Sequence, residues 1–338
     1  MRAFLTVFLG LSCAAMLPAA KELQIYFIDV EGGQATLFVA PSGESMLVDT
    51  GWSGHNSRDA DRIAAAAKRA GVKKIDYLLI THYHEDHVGG VPQLAAKLPI
   101  RNFVDHGVTV ENDRRASELY KAYTEYRAKG THIQVKPGDT IPIKGLDVKV
   151  LTAAGDEIAS PLPGAGQPNP LCAGDQLRKP DNSENARSVG TLITYGKLRI
   201  IDLGDLTWNK EHELVCPDNK AGTVDVYIVT HHGMDLSGSP AIVHALHPRV
   251  AIMDNGARKG GTPPAWQAIH SSPGLEDIWQ LHYSVEGGKE SNAPDAFIAN
   301  TYEQGDPGNW IRLTARPDGS FTIYNSRNKY SKTYEPKN

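Results

Sequence analysis

Six short apolar runs in this chain of 338 residues end in the same kind of polar sequence, rich in Asp, His and Gly. Short apolar runs closed by turn residues are typical of buried β-strands. Layered proteins of helices and sheets place their sites where such strands end, so the repetition predicts one polar edge shared by several strands. The runs lead into Asp49-Thr50-Gly51, Thr81-His82, Asp105-His106-Gly107, Asp202-Leu203-Gly204-Asp205, Thr230-His231-His232-Gly233 and Asp254-Asn255-Gly256.

Helices and antiparallel strands are predicted around these runs. Stretches closed by Gly or Pro predict helices over residues 58–70, 91–98 and 112–129. Residues 22–28 and 34–40, on either side of a Gly-rich turn, read as an early strand pair. Near the other end, residues 310–315 and 320–325 flank Pro317-Asp318-Gly319, which is a strong hairpin signal because Asp-Gly favours a tight turn.

The first 20 residues have the layout of a secretory signal peptide, with Arg2, an apolar stretch and small residues before Lys21. We therefore expect a periplasmic or secreted protein. A lipidated Cys13 is the lesser alternative, because Gly10 stands where a lipoprotein signal has a Leu-like residue. No later segment approaches the roughly 18 uncharged apolar residues of a membrane helix, so we expect no transmembrane segment in the mature chain.

Cleavage of the signal would leave two cysteines, Cys172 and Cys216. Two cysteines in an oxidising compartment are more often bridged than free, so we predict a disulfide, with two buried thiols as the alternative. Cys172 lies in residues 155–188, a long stretch rich in Gly, Pro and Asn that predicts a functional lid or a disordered loop. A bridge would tether this loop near the polar edge and shape substrate access.

Composition excludes several classes of function. Hydrophobic residues at 41% and charged residues at 22% indicate a globular chain with a sizeable core. The net charge is −4 and basic residues occur in no run longer than a pair, so we expect no binding to duplex nucleic acid. No nucleophile elbow, phosphate loop or dinucleotide fingerprint is present, which disfavours serine hydrolases, P-loop enzymes and nicotinamide enzymes.

The densest chemical signal is Thr81-His82-Tyr83-His84-Glu85-Asp86-His87-Val88-Gly89-Gly90, between a predicted strand and a predicted helix. Four potential metal ligands fall within six residues. His82 and His84 alternate across an extended turn and can face one point, while Asp86 and His87 open the next helix and can face a second. Imidazole and carboxylate groups suit Zn²⁺ or a similar first-row ion.

This segment resembles the His-x-His-x-Asp-His motif of the metallo-β-lactamase superfamily, and the chain is most similar to the branch with the ComEC-type competence metallo-hydrolase domain and the phosphorylcholine esterases. The resemblance implies an α+β fold, a four-layer αββα sandwich with two metals at one edge. The further matching segments are Asp29-Val30-Glu31-Gly32-Gly33-Gln34, Leu47-Val48-Asp49-Thr50-Gly51, Asn185 to Ser188, Gly204-Asp205 and His231-His232-Gly233.

The resemblance also implies a ligand set and catalytic residues. Asp86 would serve both ligation and catalysis, and Asp49 would orient the metal-bound groups. Of the consecutive pair, we favour His231 as the ligand and His232 as a substrate or acid–base contact. The implied ligands are His82 and His84 for the first ion, Asp86, His87 and His231 for the second, and Asp205 for both.

One departure from the superfamily concerns the first metal ion. Many members supply a further His to it, whereas this chain has Asn185 and Ser188 in that segment. The first ion would then be open to a substrate oxygen, or His106 would fill the gap. A satisfied structural role for His106 is about equally expected. We include Asn185, Ser188, His106 and His55 as weaker candidates for substrate binding.

Together these observations predict a signal peptide at 1–20, a catalytic domain at 21–290 and an extension at 291–338 whose hairpin packs on that domain. The expected function is hydrolysis, by a metal-bound hydroxide, of a phosphoester in a small or envelope-derived substrate. The expected cofactors are two Zn²⁺ ions, with manganese or iron as alternatives. The alternatives are an acyl hydrolase of the β-lactamase or lactonase type and a non-catalytic, metal-stabilised binding protein. The oligomeric state stays open.

Overall fold

Two nine-stranded β-sheets face each other in the computed structural model, which describes residues 22–303, 305 and 307–337. The expected signal peptide lies outside these residues. The strands, in chain order, are β1 (Leu23–Phe27), β2 (Thr36–Val39), β3 (Ser45–Val48), β4 (Ile75–Leu79), β5 (Ile100–Asp105), β6 (Thr131–Gln134), β7 (Thr140–Ile141), β8 (Asp147–Ala153), β9 (Asp156–Glu157), β10 (Gln167–Pro168), β11 (Gly190–Tyr195), β12 (Leu198–Asp202), β13 (Asp218–Asn219), β14 (Val226–Ile228), β15 (Val250–Met253), β16 (Asp277–His282), β17 (Ile298–Asn300), β18 (Ile311–Ala315), β19 (Phe321–Asn325) and β20 (Ser331–Tyr334).

The helices α1, α3 and α4 confirm the three predicted helices, although α3 is shorter than expected. Single helical turns at Glu184–Arg187 and Thr230–Gly233 carry candidate site residues. None of the described helices has the length and apolar character that crossing a bilayer requires. The helices are α1 (Arg58–Arg69), α2 (Glu85–Val88), α3 (Val91–Ala95), α4 (Arg114–Arg127), α5 (Trp208–Val215), α6 (Pro240–Leu246) and α7 (Pro263–His270).

The two sheets mix antiparallel and parallel strands. The first sheet runs in the order β20-β19-β18-β1-β2-β3-β4-β5-β6, and the second in the order β17-β16-β15-β14-β12-β11-β8-β7, with β9 paired to β8. β3 to β6 are mutually parallel, as are β12, β14, β15, β16 and β17. The predicted early pair, β1 with β2, is antiparallel.

Three apolar clusters lie between four layers, which are helices, sheet, sheet and helices, as expected of an αββα sandwich. The central cluster joins the inner faces of the sheets, with residues such as Phe38 of β2 and Ile200 of β12. A second cluster packs α1, α3 and α4 on the first sheet, and a third packs α5, α6 and α7 on the second sheet. The buried sheets thus hold the ends of their parallel strands in fixed positions.

The C-terminal residues are built into the sheets. The predicted hairpin forms as β18 and β19, and β18 pairs along its whole length with β1. β17 joins the opposite sheet beside β16. The segment 291–338, expected to be an extension packed on the domain, therefore contributes strands to both sheets of that domain.

The predicted disulfide between Cys172 and Cys216 is present, with the sulfur atoms 2.02 Å apart. The stretch 155–188 is structured: it forms β9 and β10, and β10 pairs with β13. Arg178 of this stretch lies 3.9 Å over the ring of Trp208, and its backbone amide donates to Asn209 Oδ1 at 2.8 Å. These contacts fasten the stretch to α5.

Candidate metal centre

The polar ends of parallel strands from both sheets meet at one edge of the sandwich. In the first sheet, the Thr81 amide after β4 donates to Asp49 Oδ1 after β3 at 2.8 Å. In the second sheet, the His231 amide after β14 donates to the carbonyl of Gly204 after β12 at 2.9 Å. The predicted shared edge therefore exists, because parallel strands bring their carboxyl ends to the same side.

Four buried side chains form the tightest group at this edge: Asp86, His87, Asp205 and His232, with one ligand atom of each within 4.8 Å of all the others. His87 Nε2 lies 3.3 Å from both Asp86 Oδ2 and Asp205 Oδ2. His232 Nε2 lies 3.3 Å from Asp86 Oδ2 and 3.4 Å from Asp205 Oδ1. We call Asp86, His87 and His232 the second half of the site.

Three further histidines lie next to this group, and two of them approach the same Asp205 oxygen as His87 does. His82 Nε2 is 3.1 Å from His84 Nδ1. The same oxygen, Asp205 Oδ2, lies 3.9 Å from His82 Nε2 and 3.4 Å from His231 Nε2. We call His82, His84 and His231 the first half. Asp205 thus contacts histidines of both halves: Oδ2 faces His82, His87 and His231, and Oδ1 faces His232.

The order of the two consecutive histidines differs from our expectation. We expected His231 beside Asp86 and His87, but the structure places His232 there, with a side chain that is 1% exposed. Both residues have positive φ angles, 55° and 56°, so the chain turns sharply and sends the two rings apart. His232, expected to contact substrate, is enclosed within the group and has the position of a ligand.

Hydrogen bonds outside the site fix which ring nitrogen of His82 and His87 carries the proton. Thr81 Oγ1 donates to Asp49 Oδ2 at 2.6 Å and so accepts from His82 Nδ1 at 3.1 Å. The other Asp49 contact, from Oδ2 to His87 Nδ1 at 2.7 Å, makes that nitrogen a donor. In both rings Nε2 faces the site, and it offers a lone pair to a cation whenever the ring carries a single proton. Asp49 therefore contacts Thr81 and His87 through the same oxygen, Oδ2.

The same logic applies to His84 and His231. His84 Nε2 faces Glu111 Oε1 at 3.1 Å, which leaves the Nδ1 lone pair pointing inward. Ser237 Oγ donates to the Leu206 carbonyl at 2.6 Å and therefore accepts from His231 Nδ1 at 3.1 Å. Four imidazole lone pairs thus converge on the space around one carboxylate.

This arrangement fits divalent metal ions. Lone pairs on His82 Nε2 and His84 Nδ1, 3.1 Å apart, repel each other unless a cation lies between them. Two nitrogens bound at about 2.0–2.1 Å to one tetrahedral ion lie roughly 3.3 Å apart, close to the separations observed. Asp205 Oδ1 is buried and accepts no hydrogen bond from any described residue, as expected of an oxygen that serves a cation.

The pKa shifts of the histidines also indicate that the group favours a positive charge at its centre. Burial alone would lower the pKa of His87, but the charges of Asp205, Asp86 and Asp49 outweigh it and hold that pKa well above its usual value. Burial, together with the charge of His87, holds the pKa of His82 well below its usual value. The site therefore combines a neutral imidazole with carboxylates that demand positive charge nearby.

The weaker candidates lie beside the group or away from it. His106 Nε2 is 3.0 Å from the buried carboxylate of Glu184, so its ring serves the wall of the site and leaves the first ion's gap unfilled. His55 is exposed on a single helical turn. Asn185 and Ser188 follow Glu184, whose carboxylate accepts from the Tyr83 amide at 3.2 Å, and no described residue hydrogen-bonds Asn185 Oδ1 or Ser188 Oγ.

Sequence reasoning missed Lys259, Trp52 and Glu111. The ammonium of Lys259 donates to Asp86 Oδ2 and lies 5.0 Å from the centre of the Trp52 ring. Each of the three follows one of the polar strand ends within a few residues, which is the signal that could have found them. Lys259 brings positive charge to the mouth of the site.

A cavity of about 260 Å³ opens beside the two halves. Its lining includes His84 and Asp86 of the site, together with Tyr83, Glu111 and Arg115. Arg115 pairs with Glu85 at its rim. The cavity gives a small molecule access to both halves from the side of His84.

Comparison with known proteins identifies this architecture. Residues 29–170 match the family model described as the metallo-beta-lactamase superfamily. The matched segment contains His82 to His87 and ends before Asp205.

Two curated relatives match most of this chain. ComE operon protein 3 of Bacillus subtilis is 27% identical over 253 residues, which are 70% of this chain and 29% of that protein. Recombination protein 2 of Haemophilus influenzae is 22% identical over 239 residues, 69% of this chain and 24% of that protein. The chain thus spans less than a third of the length of either relative.

A shorter sequence match and a solved structure are also similar to this chain. Hydroxyacylglutathione hydrolase of Xanthomonas campestris is 32% identical over 117 residues, 35% of this chain and 36% of that enzyme. The metallo-beta-lactamase fold protein YhfI from Bacillus subtilis aligns with a TM-score of 0.46 at 13% identity, covering 77% of this chain and 96% of that one. This chain carries a domain of the metallo-β-lactamase superfamily, whose members are typically metal-dependent hydrolases, and ComEC-type proteins are among its relatives.

Proposed function

We propose that the chain is an exported, dinuclear metal-dependent hydrolase that cleaves a phosphoester of a small or envelope-derived substrate. The observation that carries the proposal is the convergence of histidine lone pairs on both sides of Asp205. In our assignment His82, His84 and His231 serve the first ion, and Asp86, His87 and His232 serve the second. Asp205 serves both. Zinc is the proposed metal, with manganese or iron as alternatives.

Two divalent ions at such a centre lower the pKa of water and stabilise negative charge on a displaced oxygen. The chain's own residues supply the geometry. Asp49 and Glu111 hold the rings of His87 and His84 with a lone pair inward, so the ligands need no reorganisation when an ion binds. Burial of this edge excludes competing water from all but the cavity side.

The position of Lys259 favours a substrate that carries negative charge. Its ammonium is now neutralised by Asp86, and that carboxylate oxygen is also a metal ligand in our assignment. When Asp86 serves a cation, Lys259 loses this partner and is free to donate to a charged oxygen of the substrate. The aromatic face of Trp52 keeps the ammonium at the mouth of the site.

Export is supported by the signal-like sequence of residues 1–20 and by the disulfide between Cys172 and Cys216. Fractionation of cells that make the full chain tests it. We expect the mature protein outside the cytoplasm, with an N-terminus close to Lys21. Recovery of an uncleaved chain in the cytoplasm would contradict export.

Acyl hydrolysis is the second candidate function, because a hydroxyacylglutathione hydrolase matches 35% of this chain at 32% identity. A metal-loaded centre of this kind would suit hydrolysis of a thioester, an amide or a phosphoester, because divalent ions would polarise the carbonyl or phosphoryl group of any of them. Substrate charge separates the candidates. A phosphodiester substrate would use Lys259, whereas a neutral thioester carbonyl would not.

The deciding experiment combines metal analysis with turnover. We expect near two metal ions per chain and turnover of bis-nitrophenyl phosphate or nitrophenyl phosphate. Lys259→Met should keep the metal and raise the KM of these phosphoesters about tenfold, the loss expected for one charge-assisted hydrogen bond. Turnover of nitrocefin or of a hydroxyacylglutathione alone would establish the acyl candidate. A loaded protein that turns over none of these substrates would favour the binding-protein alternative.

A further inference from the structure

A second cavity, of about 560 Å³, lies where α1 meets β18 and β19. None of its lining residues belongs to either half of the metal centre, and the inference drawn from it does not depend on the proposed hydrolysis. Four cations and two aromatic rings line its wall. These side chains are Arg62, Arg69, Arg312, Lys329, Trp310 and Tyr324.

The fold explains why these side chains are exposed together. Helices cover the outer face of the first sheet over β1 to β5, but β18 and β19 alternate buried inner residues with half-buried outer ones. Arg312 of β18 pairs in register with Tyr26 of β1 on one side and with Tyr324 of β19 on the other. The side chains of Tyr26, Arg312 and Tyr324 therefore lie next to one another on three adjacent strands, at the edge of the helical layer.

Two of the three guanidinium groups of the cavity, those of Arg69 and Arg312, lie against aromatic faces. Arg69 is 4.8 Å from the centre of the Trp310 ring, and Arg312 is 5.5 Å from that of Tyr324. The rings of Trp310 and Tyr324 have centroids 5.7 Å apart. Stacking on a ring fixes a guanidinium in place and leaves its N–H groups at the edge for a ligand.

Three of the four cations pair with no acidic group among the residues that the structure describes. Arg62 pairs with Asp29 and Glu31. Within the described part of the chain, Arg69, Arg312 and Lys329 form no ion pair with any carboxylate.

Arg312 is also the clearest unsatisfied group of the wall. Its Nε atom is buried and has no hydrogen-bond partner among the described residues. Arg69, Arg312 and Lys329 repel one another and pair with no carboxylate among the described residues, which indicates a site for an external anion.

We propose that this cavity binds a phosphorylated compound with a planar aromatic ring, of the nucleotide class. Guanidinium groups match the oxygens of phosphate, and indole and phenol rings stack on bases. The volume lies within the range of small-molecule sites. Trp310 and Tyr324 would hold the ring while Arg69 and Arg312 hold the phosphate.

Calorimetric titration of the metal-loaded protein tests the site. The probe is the thiophosphate analogue of adenosine monophosphate, which resists hydrolysis. Arg69→Gln and Arg312→Gln should each weaken binding about tenfold. Arg69 is exposed on α1, so its substitution leaves the fold intact even where Arg312→Gln disturbs the sheet.

Arg316→Gln is the matched control, since it removes the same charge just beyond β18 from a residue that pairs with Glu22 and does not line the cavity. It should bind the analogue like the unchanged protein. The proposal is overturned if the analogue does not bind at millimolar concentration, or if Arg69→Gln and Arg312→Gln bind it normally.

A nucleotide can be free or part of a strand, and two further arms separate these sources. Tighter binding of a short oligothymidylate than of the analogue, lost in the same two variants, would identify a single strand as the source. Binding of the analogue without the oligonucleotide would identify a free nucleotide. Inorganic phosphate alone should bind weakly, because it lacks the ring; phosphate binding as strong as the analogue's would contradict the role of Trp310 and Tyr324.

Discussion

The two halves of the metal centre use the same side-chain chemistry in different surroundings. In the second half, His87 and His232 are 0% and 1% exposed, and buried carboxylates, Asp49 and Asp254, lie behind their outer nitrogens. In the first half, His84 is 31% exposed and is backed by Glu111, itself 24% exposed. The halves therefore differ at one position, because His84 borders solvent while His82 and His231 of the same half are 0% and 6% exposed.

Metal affinity should follow this difference. Negative charge behind a ligating imidazole raises its basicity, and burial reduces the screening of that charge by water. We therefore expect the second half to hold its ion more tightly. The first half, which borders the cavity beside His84, should exchange its ion more readily.

The largest effect is expected where the halves meet. Asp205→Asn removes the charge that both ions share, so both should be weakened and the rate should fall by roughly three orders of magnitude or more. Elemental analysis and turnover on the same sample check this. Retention of two ions and full activity would contradict the bridging role.

Alanine substitution of each of the two consecutive histidines tests which of them belongs to which half of the site. His232→Ala should remove the more tightly held ion, that of the second half, and leave less than one metal ion per chain. His231→Ala should keep that ion, at about one metal ion per chain. Metal titration monitored by competition with a chelator separates the two variants. If His231→Ala instead loses the tight ion, the ring order expected from the sequence is correct after all.

A smaller effect should come from the residues that orient the rings. Asp49→Asn should weaken the tight ion by about 10- to 100-fold, as is usual when a partner of a ligating imidazole is lost. Glu111→Gln should affect the weaker ion, and less strongly, because solvent replaces an exposed carboxylate more easily. Equal effects on both ions would remove the distinction between the halves.

The smallest effect on the site is expected from the disulfide. The stretch that carries Cys172 continues to Glu184, whose amide donates to Glu111 Oε1 at 3.2 Å beside the first half. Replacing both cysteines with serine should speed proteolysis within residues 155–188 and lower the affinity of the weaker ion only. Unchanged proteolysis together with unchanged activity would refute the tethering role.

Several features of the fold followed from the local sequence. The hairpin at β18 and β19 formed where Pro317-Asp318-Gly319 predicted it, because turn chemistry depends on a few consecutive residues. The helices α1 and α4 end close to their Gly signals for the same reason. The pairing of Cys172 with Cys216 was predictable because no other cysteines were expected in the exported chain.

Other features depend on contacts between distant segments and could not be predicted. Lys259 reaches Asp86 across 173 positions of the chain, and no local pattern encodes that contact. Residues within 291–338 join both sheets, and this could not be predicted because the pairing register of β18 with β1 depends on the packing of the whole sandwich. The row of Tyr26, Arg312 and Tyr324 arises from that same register.

Which residue types stand at the polar edge could be read from the sequence, since strand endings and the spacing from His82 to His87 are local properties. Where each histidine lies relative to Asp205 depends on the folded chain. The physical reason is that His231 and His232 are covalent neighbours whose rings diverge through two left-handed backbone turns. Those turns are held by the packing of two sheets, and packing is a property of the whole molecule.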